Sequence, residues 1–313
     1  MTLARLIADY LIYRRALGRR LISDGHILRR FCRTLGKRSP KHIGADSVLA
    51  FLRSGRVDHE TVARRHRALA GFYRYVQGRY GALLPPLPDL PPGTASTFVP
   101  YIYTHKELRR LLRSAVAACK SPLALLDAET LRTCVLLLYG AGLRLGEALA
   151  LNVDDVDLSE AVIIVRQTKF YKTRLVPLGR DLHEILITYR RWRDRHYPRG
   201  PLSPFFCLRN GKRPCHNILE RTFRLMCVVA HVSRDGGPRR QPRLHDLRHA
   251  AAVHRLIYWY RTGADLQQLL PRLAIYLGHR NLSGTQRYLT LTPQLLCEAS
   301  LRFQHYALEN HHG

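Results

Sequence analysis

Negative charge is scarce in this chain. Its 313 residues hold 23 Asp and Glu against 51 Lys and Arg, a formal net charge of +28 at pH 7. A surplus of that size repels itself unless a polyanion lies close, so nucleic acid is the first partner to expect. Clustered carboxylates are scarcer still. The only acidic knot runs from Asn152 to Asp157, and a loop or helix cap explains it. A site built on several Mg²⁺-binding carboxylates is therefore not expected. Long apolar runs are missing too. The most apolar stretch, Thr133 to Leu143, is closed by Arg132 and Arg144, short of the roughly 18 residues a spanning helix needs. Near the start, Arg5 and Asp9 interrupt any signal-like segment. A cytoplasmic, nucleoid-associated protein without membrane contact is the expectation. There is no CxxC pair. The seven cysteines are scattered and odd in number, which suits free thiols in a reducing compartment. Cys207, Cys215, His216, Cys227 and His231 lack the spacing of a zinc finger or ribbon. No metal and no cofactor are expected, and no internal repeat is visible.

What is present reads as a folded chain of two parts. Apolar residues make up 46% and charged residues 24%, ordinary globular values. Leu3, Leu6, Ile7, Tyr10 and Leu11 recur at helical spacing, and Gly18 offers a stop. A second stripe is Ile27, Leu28, Phe31, Cys32 and Leu35. "ADSVLAFLRSG" opens on an Asp46-Ser47 cap signal, and "DHETVARRHRALAGFYRYVQGRYG" makes a fourth helix. Five prolines in "LLPPLPDLPPGTAST" bar helix and mark a connector. The expected division is a helical unit over 1–84, a Pro-rich linker over 85–100 and a larger unit over 101–313. The larger unit starts with a capping box, Thr104 and Glu107. Val162 to Val165 and Arg174 to Val176 are β-rich around a polar turn, a hairpin within otherwise helical sequence.

Four stretches of the larger unit carry cations, imidazoles and one tyrosine. In "GAGLRLGEALAL", Arg144 and Glu147 lie three apart at a helix start, a spacing that also suits a plain surface pair. In "RLHDLRHAAAVH", His245 and Arg248 share a helix face, with His249 and His254 as neighbouring competitors. An Arg fork matches two phosphate oxygens, and His donates or moves a proton. His279 follows Gly278 at a helix end, and Tyr288 comes nine residues later. In isolation Tyr288 reads equally as a core tyrosine. Lys169 and Lys172 sit near the hairpin turn. Together these groups can stabilise a pentavalent phosphorane. Guanidiniums and imidazoles meet its charge, a tyrosine attacks, and a lysine protonates the leaving group.

The phrases "LLLYGAGLRLGEALALNVDDVDL", "TKFYKTRLVPL", "LHDLRHAAA" and "YLGHRNLSGTQRYLTL" occur in order across residues 130 to 295. In this the chain resembles the tyrosine recombinase, or phage integrase, family, including its Xer-type members. "ETVARRHRALAGFYRYV" is similar to the last DNA-contacting helix of the family's core-binding domain. The resemblance implies a mainly α fold with a small β-sheet. That is an all-α, SAM-like core-binding domain followed by an α+β catalytic domain. It implies Tyr288 as nucleophile of a 3′-phosphotyrosyl bond, and Arg144 and Arg248 on the non-bridging oxygens. His245 and His279 would complete the cradle, with Glu147 supporting it. Lys169 would be the general acid, with Lys172 a competing candidate because the hairpin lacks the family's glycines. Arg64, Arg65, Arg67 and Arg74 are the expected DNA contacts of the N-terminal unit.

The implied partner is double-stranded DNA with inverted-repeat core sites. A tetramer of protomers would sit on it, clamped by the two domains, and hetero-oligomers with related recombinases are an option. The C-terminal segment, with Leu296 and Phe303 as anchors, would dock on a neighbour or on its own domain. A type IB topoisomerase and a catalytically silent DNA-binding protein of the same fold are the alternatives. The motif phrases favour site-specific recombination, for integration, excision or transposition of a mobile element.

Overall fold

The computed structural model describes residues 2–18, 21–36, 39–55, 57–81, 84–89, 99–121, 124–166, 173–237 and 240–278. They fall into two compact units, one before residue 99 and one after it. The chain is mainly α with one small sheet, the fold class the sequence predicts.

The first unit holds α1 (Leu3–Ala16), α2 (Ile22–Leu35), α3 (Ala45–Arg53) and α4 (His59–Tyr80), with a 3-10 turn at Pro40–His42. The sequence capped α1 and α4 locally. Thr2 accepts from the Arg5 amide, and Asp58 accepts from the Thr61 amide at 2.9 Å. The helical stripe of α1 (Leu3, Leu6, Ile7, Tyr10, Leu11) meets Leu28, Phe31, Phe51, Leu69, Phe72 and Val76 in one core. Two boundaries differ from expectation. The second helix begins at Ile22, well before its apolar stripe, with Gly25 buried against Leu11. The third is capped by Gly44, which places Asp46 inside the first turn, where its charge suits the helix dipole.

Arg65 corrects a further expectation. It is 5% exposed and so not a surface DNA contact. Its Nη1 donates at 3.0 Å to the carbonyls of Phe51, Leu52 and Ser54 at the C-terminal end of α3. Its guanidinium lies 5.6 Å from the Phe51 ring centroid. A residue on one helix thus closes another. Arg65→Ala is expected to cost about 1–3 kcal/mol by removing this donor from the end of α3. Urea unfolding reads this, and an unchanged midpoint with weakened DNA binding would restore the surface role.

The second unit runs α5 (His105–Ala118), α6 (Ala128–Gly140), α7 (Leu145–Ala150), a 3-10 turn (Val153–Asp155), β1 (Val156–Asp157), β2 (Val162–Val165) and β3 (Arg174–Pro177). It continues with α8 (Arg180–His196), α9 (His216–Val229), α10 (Leu244–Arg261) and α11 (Leu266–Leu277). The Thr104–Glu107 capping box opens α5 in both directions. Leu131, Cys134, Val135, Leu137 and Leu138 bury α6 on nearly every side, and α5, α8 and α10 pack around it. The strands form one antiparallel sheet in the order β1-β2-β3, with Val162 opposite Pro177 and Val165 opposite Arg174. The acidic knot is structural. Asn152 and Asp155 cap one another, and the buried Asp155 pairs with Arg166 at 2.5 Å. Fully buried Arg193 of α8 donates to the Pro204 and Phe205 carbonyls, much as Arg65 does in the first unit. No helix among the described residues is long and apolar enough to cross a membrane.

Candidate active site

The site forms where segments far apart in sequence converge: the α6–α7 turn, the start of β3, the start of α10 and the end of α11. The turn leaves α6 through Gly142, at φ +59°. A side chain there would also put a Cβ 2.6 Å from Leu277 Cδ2, so glycine serves both the left-handed backbone and the close approach of α11. Arg144 follows as the residue preceding α7. Its backbone N–H donates to Glu147 Oε2 at 3.0 Å and its Nη1 to Glu147 Oε1 at 2.8 Å. Its Nη2 donates to the Gly278 carbonyl at 2.8 Å. The Arg144 side chain remains 41% exposed, so the guanidinium is held at one edge and open at another.

Glu147 has a second, tighter partner that the sequence reading missed. Arg174 donates to both its oxygens, Nη1 to Oε1 at 3.0 Å and Nη2 to Oε2 at 2.8 Å. Burial alone would raise the Glu147 pKa. The hydrogen bonds from Arg174 and from the Arg144 backbone, with the charge of Arg174, outweigh it and hold the carboxyl at about 2. A signal for Arg174 was present: it lies two positions before the buried Val176 and so on the inward face of β3. Only an internal partner makes a charged residue tenable there.

Arg248, on the first turns of α10, is 2% exposed. Its Nη1 donates to the Gly142 carbonyl at 2.5 Å and its Nη2 to the Leu277 carbonyl at 2.6 Å. It therefore ties the α6–α7 turn to the end of α11. His245 lies three residues earlier on the same helix and is exposed. Its pKa is lowered from the usual histidine value, by desolvation first and then by Arg248, Arg243 and Arg144, against a smaller opposing pull from Asp246. Those three guanidiniums place it in one cationic field with Arg144 and Arg248. The competing histidines have other partners. His249 packs edge-on against His245 at 4.8 Å. His254 accepts or donates at 2.7 Å with the Tyr139 hydroxyl and stacks on His105 at 4.4 Å.

Gly278 ends α11 in the left-handed conformation, φ +68°. A Cβ there would lie 2.9 Å from Arg174 Cζ. Gly278→Ala should therefore displace the guanidinium that holds Glu147 and cost about 1–2 kcal/mol in backbone strain. The expected readings are a lowered melting temperature and DNA cleavage slowed at least about tenfold; a variant matching wild type in both would remove Gly278 from the site. Lys169, Lys172, His279 and Tyr288 lie outside the described residues, as do Leu296 and Phe303. Among the described residues no group of three or more His, Cys, Asp or Glu is placed to hold a metal.

The sequence profile of the phage integrase family matches residues 103–294. The chain belongs to that family. It is a tyrosine-type site-specific recombinase. An integrase/recombinase of Sinorhizobium fredii, y4rB, is 34% identical over 97% of this chain and 97% of its own length. The tyrosine recombinase XerC of Proteus mirabilis is 35% identical over 57% of this recombinase and 52% of its own length. Among solved structures, the Tn1549 transposon integrase with transposon right-end DNA has a TM-score of 0.66 at 17% identity, covering 98% of this chain and 100% of that one. A lambda integrase dimer bound to a COC′ core site has a TM-score of 0.61 at 17% identity, covering 92% and 77%. Both likenesses are of fold.

Proposed function

We propose that this recombinase cuts and rejoins duplex DNA through a 3′-phosphotyrosyl intermediate, in the integration, excision or transposition of a mobile element. The observation that carries the chemistry is that Arg144 and Arg248 both anchor on the end of α11, at the adjacent Gly278 and Leu277 carbonyls, with His245 one turn before Arg248 on α10 and Glu147 held ionised against Arg144. The Tyr288 oxygen attacks the scissile phosphorus, and the bond from phosphorus to the 5′-oxygen breaks. Arg144 and Arg248 neutralise the non-bridging oxygens as charge builds in the transition state, with His245 and His279 completing the cradle. The pKa of His245 is lowered, which favours the neutral imidazole, the form able to accept a proton. Lys169, with Lys172 as its competitor, protonates the departing 5′-oxygen. A 5′-hydroxyl from a second strand then attacks the phosphotyrosine and restores the diester, so no outside energy is consumed.

Four protomers on two duplexes would exchange strands in pairs. The mobile-element role is favoured by similar proteins named as integrases and a transposon integrase. In the N-terminal unit, Arg64 and Arg74 are exposed, and Arg67 is exposed and paired with Glu60 at 2.7 Å. Arg64 also lines a cavity of about 280 Å³ with His26, Arg30, Thr61 and Arg65. Arg30 and Arg64 are both exposed there, so this face offers a positive field to a phosphate backbone.

Covalent trapping tests the reading. A nicked duplex on which cleavage releases a short strand is incubated with the full chain in EDTA and run on a denaturing gel. The duplex is recovered by covalent capture from a randomised pool seeded with the DNA flanking the gene. A protease-sensitive, DNA-linked band is expected, and absence of any captured duplex would overturn the phosphotyrosyl chemistry. Relaxation of a supercoiled plasmid with no strand exchange between two such duplexes would instead mark a topoisomerase.

A further inference from the structure

Glu147 is placed between two guanidiniums, and only one of them faces outward. Arg174 is 16% exposed and Arg144 is 41% exposed. The inner arginine takes both carboxylate oxygens in a fork. The outer one donates a single side-chain bond, Nη1 to Oε1. A carboxylate lacking its inner partner would take the fork from the outer arginine, because a bidentate pair is the stronger geometry. Arg144 would then turn both terminal nitrogens inward, away from the Gly278 carbonyl and away from any phosphate. The charges matter as well. Glu147 with Arg144 alone sums to zero, whereas the triad with Arg174 keeps one net positive charge at the exposed edge.

Arg174 also packs under Gly278, whose carbonyl fixes Arg144 Nη2. One side chain at the start of β3 thus touches both anchors of Arg144. We propose that Arg174 is a positioning residue for strand cleavage: by occupying Glu147 and backing Gly278, it holds Arg144 cationic and aimed at the scissile phosphate. This rests on the reading that Arg144 grips that phosphate.

A double-mutant cycle tests it, using the full chain and the captured duplex. Arg174→Ala is expected to slow single-turnover cleavage at saturating protein by about 10–100-fold, while the Kd for the duplex changes less than about threefold. Glu147→Ala should lose a similar factor. The double variant should be no slower than the slower single one, because both act through Arg144. Arg174→Lys keeps the charge and loses the fork, so it should stay below about a tenth of the wild-type rate; it carries the cycle if the alanine variant does not fold. Multiplicative losses in the double variant, or a loss confined to Kd, would overturn the proposal.

A second arm needs no DNA. In a crystal structure of Arg174→Ala or Arg174→Lys, both terminal nitrogens of Arg144 are expected on Glu147. Arg144 still bonded to the Gly278 carbonyl would overturn the proposal even if cleavage chemistry is confirmed. A wild-type chain that captures no duplex defeats the phosphotyrosyl reading and leaves this arm to decide the geometry.

Discussion

Tyr288→Phe is expected to remove the covalent band entirely, a loss of at least about 10³-fold, while leaving DNA affinity and melting temperature unchanged. Only one oxygen atom is lost. The arginines proposed to meet the phosphate belong to other segments, Arg144 before α7 and Arg248 on α10, so binding is not expected to depend on the phenol. The proposed chemistry does, because the phenol oxygen forms the ester that stores the diester's energy for rejoining. The assay is the denaturing gel in EDTA, with wild type run beside the variant. A band that persists in Tyr288→Phe would move the nucleophile to another residue. A band lost together with affinity would make Tyr288 a structural residue.

Arg248→Ala should be nearly as severe in cleavage and far more visible in stability. Removing the guanidinium leaves the Gly142 and Leu277 carbonyls without this donor in a dry interior. At about 1–3 kcal/mol per orphaned group, the second unit should lose about 2–6 kcal/mol. Loss of a transition-state donor costs a further factor of about 10²–10³ in cleavage. Arg248→Lys separates the two effects. Its single ammonium keeps the charge and reaches one carbonyl in place of two, so it should recover part of the melting temperature and little of the rate. The checks are calorimetric melting and single-turnover cleavage on the same preparations. Full activity in Arg248→Lys would show that charge alone is required there, and would remove the bidentate role assigned to Arg248.

What could be read along the chain was whatever acts over three or four residues. The Thr104–Glu107 box and the Arg144–Glu147 pair both join positions three apart. Helix geometry makes such neighbours meet whatever else the fold does. The same holds for the apolar stripe of α1 and for the β-rich hairpin, whose periods record burial directly. The order of the four motif phrases told more, since together they point to one family. Arginine was where reading along the chain stopped short. Fifty-one cationic side chains suggested a surface for DNA, and some of those side chains are internal. Arg65 closes α3, Arg193 holds the Pro204–Phe205 backbone, and Arg248 ties Gly142 to Leu277. No local pattern separates these from solvated arginines, because their acceptors are backbone carbonyls, which every residue carries. The site's central carboxylate makes the same point. Glu147 meets Arg144 three residues away by helix geometry, but it meets Arg174, 27 residues away, only because β3 packs beside α7. Arg144 reaches Gly278 across 134 residues. The kinds of group in the site were set by composition and motif. Which arginine stays open at the edge of the site and which also holds the frame was set by packing, because burial decides how many of a guanidinium's donors the protein itself takes.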